Sequence, residues 1–233
     1  MDIQSRGVGD EVVAALAAAL EENSTLRYFE LSASAMHLRD ETGAVLANAL
    51  KNNSTLQTFV FMADYTSIGA GTGTALAAAL EVNSKLQSFG FWANGTDIGE
   101  KTGAALAKAL ENNSTLLSFE FSAGSTTIGE ESGTALAEAL GANSTLQSFG
   151  FIADSTKIGE KAGTALAAAL GASSTLQSFK FYASSTSIGK DTGAALVEAL
   201  KVNPTLQFFE FLGAHTHTRW RGYRGSSGGR AQS

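Results

Sequence analysis

Residues 146–175 read LQSFGFIADSTKIGEKAGTALAAALGASST, and nearly the same text returns every 30 residues without an insertion or deletion. The motif Leu-Gln-Ser-Phe-x-Phe opens at Leu86, Leu146 and Leu176, with close variants at Leu26, Leu56, Leu116 and Leu206. A Gly-x-Ala-Leu-x-x-Ala-Leu block, as in Gly103 to Leu110, lies between consecutive copies. A fixed period of this size is the signature of a solenoid, whose units bury their apolar faces only by stacking on neighbours. The repeats therefore form one continuous array rather than two globular domains.

Within the quoted unit, Phe149 and Phe151 alternate with Ser148, Gly150 and Ile152, the period-2 pattern of a short strand buried on one face. All 14 phenylalanines fall in such segments, and only Phe208 lies outside the two alternating columns. The Phe columns are thus the expected core and the intervening column the expected surface. A turn-rich stretch, Ala153 to Lys157, precedes Ile158, and a helix is expected from about Glu160 to Leu170. Its stripe is Ala162, Ala165, Leu166, Ala169 and Leu170. The next column holds Asn23, Asn53, Asn83, Asn113, Asn143, Ser173 and Asn203, with Pro204 after the last. Asparagine just past a helix suits the left-handed C-terminal position. One strand and one helix per unit, wound always the same way, predict a parallel sheet with right-handed crossovers. Ala-rich stripes with a Gly column from Gly43 to Gly193 allow the helices to pack closely.

This pattern resembles the leucine-rich repeats, in particular the ribonuclease-inhibitor-like subfamily also found in NOD-like receptors and Ran GTPase-activating proteins. The matching residues are Leu146-x-x-Phe149-x-Phe151, Asp154, Ile158-Gly159 and the helix from Ala165 through Leu170 to Ser173. The resemblance covers about residues 8–216. It implies an α/β solenoid, a horseshoe arc of about seven units, whose concave strand face binds protein partners while helices form the convex face. Three departures accompany it. Phe replaces Leu in both strand core columns, which implies a wider or differently curved interior. The family's asparagine ladder is reduced to Ser34, Asp64, Asn94, Gly124, Asp154 and Ser184. An extension between strand and helix carries a threonine column (Thr66, Thr96, Thr126, Thr156, Thr186), whose hydroxyls are expected to satisfy turn backbone groups.

The array is expected to span residues 1–216, opening with a helix (about Asp10 to Leu20) and closing with a strand (Phe209 to Phe211). Residues 217–233 read as a basic, disordered tail from their Gly, Ser and Arg content. Neither end carries an evident polar cap, so a fragment of a longer array is one expectation. Arg219, Arg221, Arg224 and Arg230 sit in this tail without an acid. The body therefore carries about −10, the −6 total less the tail's four positive charges. An acidic body argues against sequence-independent nucleic-acid binding, leaving RNA contact to the tail alone. No apolar run reaches the roughly 20 residues of a membrane span, no secretory signal is evident, and cysteine is absent. A cytoplasmic setting is expected.

The outward column after the second Phe is Ser32, Met62, Trp92, Ser122, Ile152, Tyr182 and Leu212. Large apolar and aromatic side chains on a solvent-facing strand surface favour a contact patch, with Trp92 and Tyr182 as anchors. The bland alternative is that they pack on one another. The neighbouring column, Glu30, Val60, Gly90, Glu120, Gly150, Lys180 and Glu210, adds mixed charge. The expected partner-binding set is Met62, Trp92, Glu120, Ile152, Lys180, Tyr182 and Leu212.

Other signals are weaker. Gly69-Ala70-Gly71-Thr72-Gly73 imitates a dinucleotide loop, but the next unit reads Gly99-Glu100-Lys101-Thr102-Gly103 and no ribose-binding acid follows at the required distance. Sequons at Asn23, Asn53, Asn94, Asn113 and Asn143 arise mostly from the repeat. His37, His215 and His217 lack the companions zinc needs. First-turn acids such as Glu100, Glu130 and Glu131 are expected to favour their own helix dipole and otherwise face solvent. The expected protein is a non-enzymatic, cofactor-free binding scaffold without a small-molecule substrate. The alternative of another class is a GTPase regulator of the Ran activator type.

Overall fold

The computed structural model describes residues 5–213 and 220–223, and the side chains of residues 9–213. Helix α1 (Ser5–Glu22) leads into strand β1 (Tyr28–Ser32). Then come α2 (Asp40–Asn52), β2 (Thr58–Met62), α3 (Ala70–Val82), β3 (Ser88–Trp92), α4 (Glu100–Asn112) and β4 (Ser118–Ser122). The array continues with α5 (Glu130–Ala142), β5 (Ser148–Ile152), α6 (Glu160–Ala172), β6 (Ser178–Tyr182), α7 (Lys190–Val202), β7 (Phe208–Leu212) and a short β8 (Trp220–Tyr223). Strands β1 to β7 pair in parallel and in chain order. Each residue faces its equivalent in the next unit, as Phe119 faces Phe149.

That register converts the two Phe columns into two continuous rows of rings, all but the end members fully buried. Successive centroids in the first row, from Phe29 to Phe209, lie 5.7 to 6.1 Å apart with nearly parallel planes. The second row, from Phe61, keeps the same spacing and tilts only at Phe181–Phe211, where the planes meet at 31°. Each pair contributes about 0.5–1.5 kcal/mol beyond its buried area. Strands stack at about 4.8 Å and helices at about 8–10 Å, so the sheet takes the short inner arc and the helices the long outer one. The ring spacing falls between, as it must for a layer between the two.

The helices approach across their glycines. A Cβ on Gly43, Gly73, Gly103 or Gly163 would lie 2.2 Å from a Thr or Ser hydroxyl of the next helix. The threonine column behaves as expected: Thr66, Thr96, Thr126, Thr156 and Thr186 each donate to a carbonyl three residues back, at 2.6–2.7 Å. This closes a turn whose middle residue is left-handed, with φ between 55° and 63° from Ala35 to Ser185.

Three expectations need correction. The asparagines after the helices are extended, not left-handed; Asn53 has φ −74° and ψ 126°. Asn53, Asn83, Asn113, Asn143 and Asn203 are buried and form an inter-unit ladder of their own, beside the bonds that the reduced column keeps, such as Asn94 N to Asp64 Oδ1 and Ser184 N to Asp154 Oδ1. Asn83 Nδ2 donates to the carbonyls of Leu50 and Asn53, while its Oδ1 accepts the Lys85 and Leu86 N–H groups. An extended backbone is required because both ends of the amide must reach backbone of two units. The first helix starts before Asp10, at Ser5, and the Asp10 carboxylate serves the next helix: it accepts from Arg39 N, Arg39 Nε and Thr42 Oγ1. Third, Trp220–Tyr223, within the stretch expected to be disordered, forms β8 and pairs antiparallel with β7. An unpaired parallel edge leaves a row of open backbone donors and acceptors, which β8 fills. Residues 214–219 and 224–233, with His215, His217, Arg219, Arg224 and Arg230, lie outside the described residues.

Candidate protein-binding face

Because side chains alternate across a strand, burying Phe149 and Phe151 forces Ser148, Gly150 and Ile152 onto the opposite, concave face. The same holds in every unit. Met62, Trp92, Ile152, Tyr182 and Leu212 are all half-buried there, and the register makes Met62 the direct neighbour of Trp92, and Ile152 of Tyr182, which in turn adjoins Leu212. Two apolar groups result, one on β2–β3 and one on β5–β7. Ser122 divides them; it is 5% exposed, and its hydroxyl donates to Asn94 Oδ1 at 2.9 Å.

The adjacent column is charged in its middle. Lys180 Nζ stands 3.6 Å from Glu120 Oε1, a pair that spans from β4 to β6 across β5. The intervening residue is Gly150, which leaves room for the two side chains to meet; a Cβ there would lie 3.2 Å from Glu120 Cγ. Both side chains are about one-third exposed, so the pair adds little stability. It does fix one positive and one negative group between the apolar clusters. Gly90 makes a second notch, beside Trp92. At the last strand Glu210 is 2% exposed, and β8 runs alongside.

Two aromatic residues of this rim were missed in sequence. Tyr28, on β1, is 56% exposed, and its hydroxyl donates to Glu30 Oε2; that hydrogen bond is the main cause that raises its pKa. Tyr65, 71% exposed, sits in the left-handed turn position, and its ring lies over Gly95. Apart from Phe208 at the far end of the Tyr28 column, both columns are otherwise filled by small or polar residues, and that contrast was the available signal.

The helix-entry side is built from carboxylates that reach forward. Asp40 accepts from Gly69 N, Gly71 N and Thr72 N, so the glycine-rich segment that imitates a dinucleotide loop already holds an acid. Glu130 does the same for Gly159 N and Ala162 N, Glu160 for Thr192 N, and Glu100 for Ser132 N. These first-turn acids therefore cap the following helix rather than simply facing solvent. Burial pushes the Asp40 and Glu160 carboxyls up, but the hydrogen bonds from Thr72 and Thr192 and their neighbouring backbone outweigh it and hold both below the ordinary value. Asn53, Asn113 and Asn143, three of the sequon asparagines, have buried amides bonded to the preceding unit. Among the described residues no cluster of His, Asp and Glu is arranged to hold a metal ion, and no helix is long and apolar enough to cross a membrane.

No family model and no curated protein matches the chain. Solved structures do. The tropomodulin C-terminal domain of Caenorhabditis elegans aligns with a TM-score of 0.54 and 16% identity, covering 69% of this chain and 92% of that one. A chain of the yeast Rad7 and Elc1 complex aligns with a TM-score of 0.53 and 17% identity over 88% of this chain; this protein spans about half (49%) of that chain's length. With the in-register strand–helix units, these likenesses establish the fold as a leucine-rich-repeat solenoid.

Proposed function

We propose that this solenoid is a non-catalytic, cofactor-free protein-interaction module that grips a protein partner on its concave face. The supporting observation is that the core is complete without Met62, Trp92, Ile152, Tyr182 and Leu212. The rings beneath Met62, Trp92, Ile152 and Tyr182 are fully buried by units above and below, yet these positions stay apolar where Ser or Gly would suffice. Trp92 and Tyr182 match the aromatic anchors of interface centres, and the Glu120–Lys180 pair between the two apolar groups would set orientation. One of the solved neighbours of the same fold is described in complex with another protein. The same reading includes a cytoplasmic setting, for which a cysteine-free chain is suited.

The test compares three forms as bait: the intact chain, a Trp92→Ala/Tyr182→Ala double variant, and a control with exposed Val82 and Val197 on the helix face changed to Ser. Partners held by the intact chain and the control but lost by the double variant support the concave face. Equal retention by all three contradicts it.

A further inference from the structure

The forward-reaching acids form a column at positions 10, 40, 70, 100, 130, 160 and 190, reading Asp, Asp, Ala, Glu, Glu, Glu and Lys. Helices α2, α3, α5, α6 and α7 each receive a carboxylate from the preceding unit at their N-terminus. Helix α4 does not, because position 70 is Ala. Its Thr102 N–H turns back to the Gly99 carbonyl at 2.8 Å. Its Thr102 hydroxyl is fully buried and is the one buried side-chain polar atom without a partner among the described residues.

That hydroxyl occupies the repeat position from which Thr42, Ser132 and Thr192 reach a carboxylate. It rests against Gly73 at the same 2.2 Å Cβ distance that Thr72 keeps from Gly43 and Thr192 from Gly163. In the equivalent positions, Thr42 Oγ1 donates to Asp10 Oδ1 at 2.6 Å, Ser132 Oγ to Glu100 Oε2, and Thr192 Oγ1 to Glu160 Oε2 at 2.5 Å, while Thr72 Oγ1 donates to the Asp40 main-chain carbonyl at 2.9 Å. An orphaned buried hydroxyl carries a desolvation cost that a ligand can remove. The helix N-terminus adds partial positive charge and open N–H groups. Gly99 is only half-buried and Lys101 is exposed, so the backbone flanking the buried Thr102 meets solvent beside a cation.

We propose that the N-terminus of α4 is a binding site for a single carboxylate supplied from outside the chain. It would be held by the Thr102 hydroxyl and the Gly99 and Lys101 N–H groups in place of the missing residue-70 side chain. The source is either a free organic anion or an acidic side chain of a bound protein; both present the same group. Ala70→Glu restores the built-in ligand on the pattern of Glu100, Glu130 and Glu160.

The experiment follows amide shifts by NMR in the full chain while acetate, and separately a doubly blocked Glu-containing peptide, replace chloride at constant ionic strength. The expected result is a saturable shift confined to residues 99–102, lost in Ala70→Glu and weakened in Thr102→Val. Ala70→Glu should also melt higher than the parent. Acetate alone saturating the site assigns it to a free anion; both probes saturating it admits a partner's side chain. No saturable shift, or equal shifts at the N-termini of α3 and α5, overturns the proposal. So does an acetate response that survives in a folded Ala70→Glu variant.

Discussion

Ser173 interrupts the buried amide ladder. Asn143 donates to the carbonyls of Leu110 and Asn113, and Asn203 to those of Leu170 and Ser173. Ser173 keeps the acceptor role, taking the Leu176 N–H at 3.2 Å, but its short hydroxyl makes neither of the two backward donations. Ser173→Asn should therefore stabilise the protein by about 1–2 kcal/mol, two hydrogen bonds at about 0.5–1.5 kcal/mol each less some side-chain ordering. Equilibrium urea unfolding checks it, and a neutral or destabilising result would mean that this rung cannot adopt its neighbours' geometry. The asparagine column was plain in the sequence, but its role was not. Nothing in one chain's text distinguishes a left-handed cap from an extended residue whose amide reaches 30 residues back.

Helices stand or fall on what neighbouring units lend them. In α4, Gly103 faces Ser132, and a Cβ there would meet its Oγ at 2.2 Å and its Cβ at 2.3 Å. Gly103→Ala should cost about 1–3 kcal/mol through overpacking. In α7 the equivalent Gly193 has nothing within 4 Å. Gly193→Ala should stabilise by about 0.5–1 kcal/mol, because only helix propensity changes. Opposite signs by urea unfolding confirm close helix contact as the reason for the glycine column. The capping acids give a pH signature. Asp10, Asp40 and Glu160 all have folded pKa values below their ordinary ones, so their stabilisation is complete above about pH 5 and drains away as pH falls through the acid range. Asp40→Asn should lower stability at pH 7 by about 0.5–2 kcal/mol and flatten the fall in melting temperature between pH 5 and 3. An unchanged pH profile would show that the carboxylate is idle. The acid column was visible in sequence, yet it was assigned to its own helices, because only the fold shows that position 40 meets position 72.

Across the whole molecule, the 30-residue period carried the architecture: strand positions, the buried Phe columns and the outward apolar row all follow from periodicity and register. What could not be read were features that depend on the ends. The period fails after Thr216, so nothing in it signalled an antiparallel β8. At the same end Leu196, Val197, Leu200, Phe209 and Phe211 line a cleft of about 340 Å³. The candidate face was readable only as a column of residue types. Its division by Ser122 and the Glu120–Lys180 bridge over Gly150 required neighbouring strands to be placed side by side.

All of this rests on which face of the sheet is inside. Parallel urea titrations of Phe121→Ala and Trp92→Ala decide it, since Phe121 is fully buried in the ring row and Trp92 lies on the concave face. Phe121→Ala should lose about 3–5 kcal/mol and Trp92→Ala no more than about 1 kcal/mol. Comparable losses from the two substitutions would place Trp92 in the core and leave the concave face without its anchor.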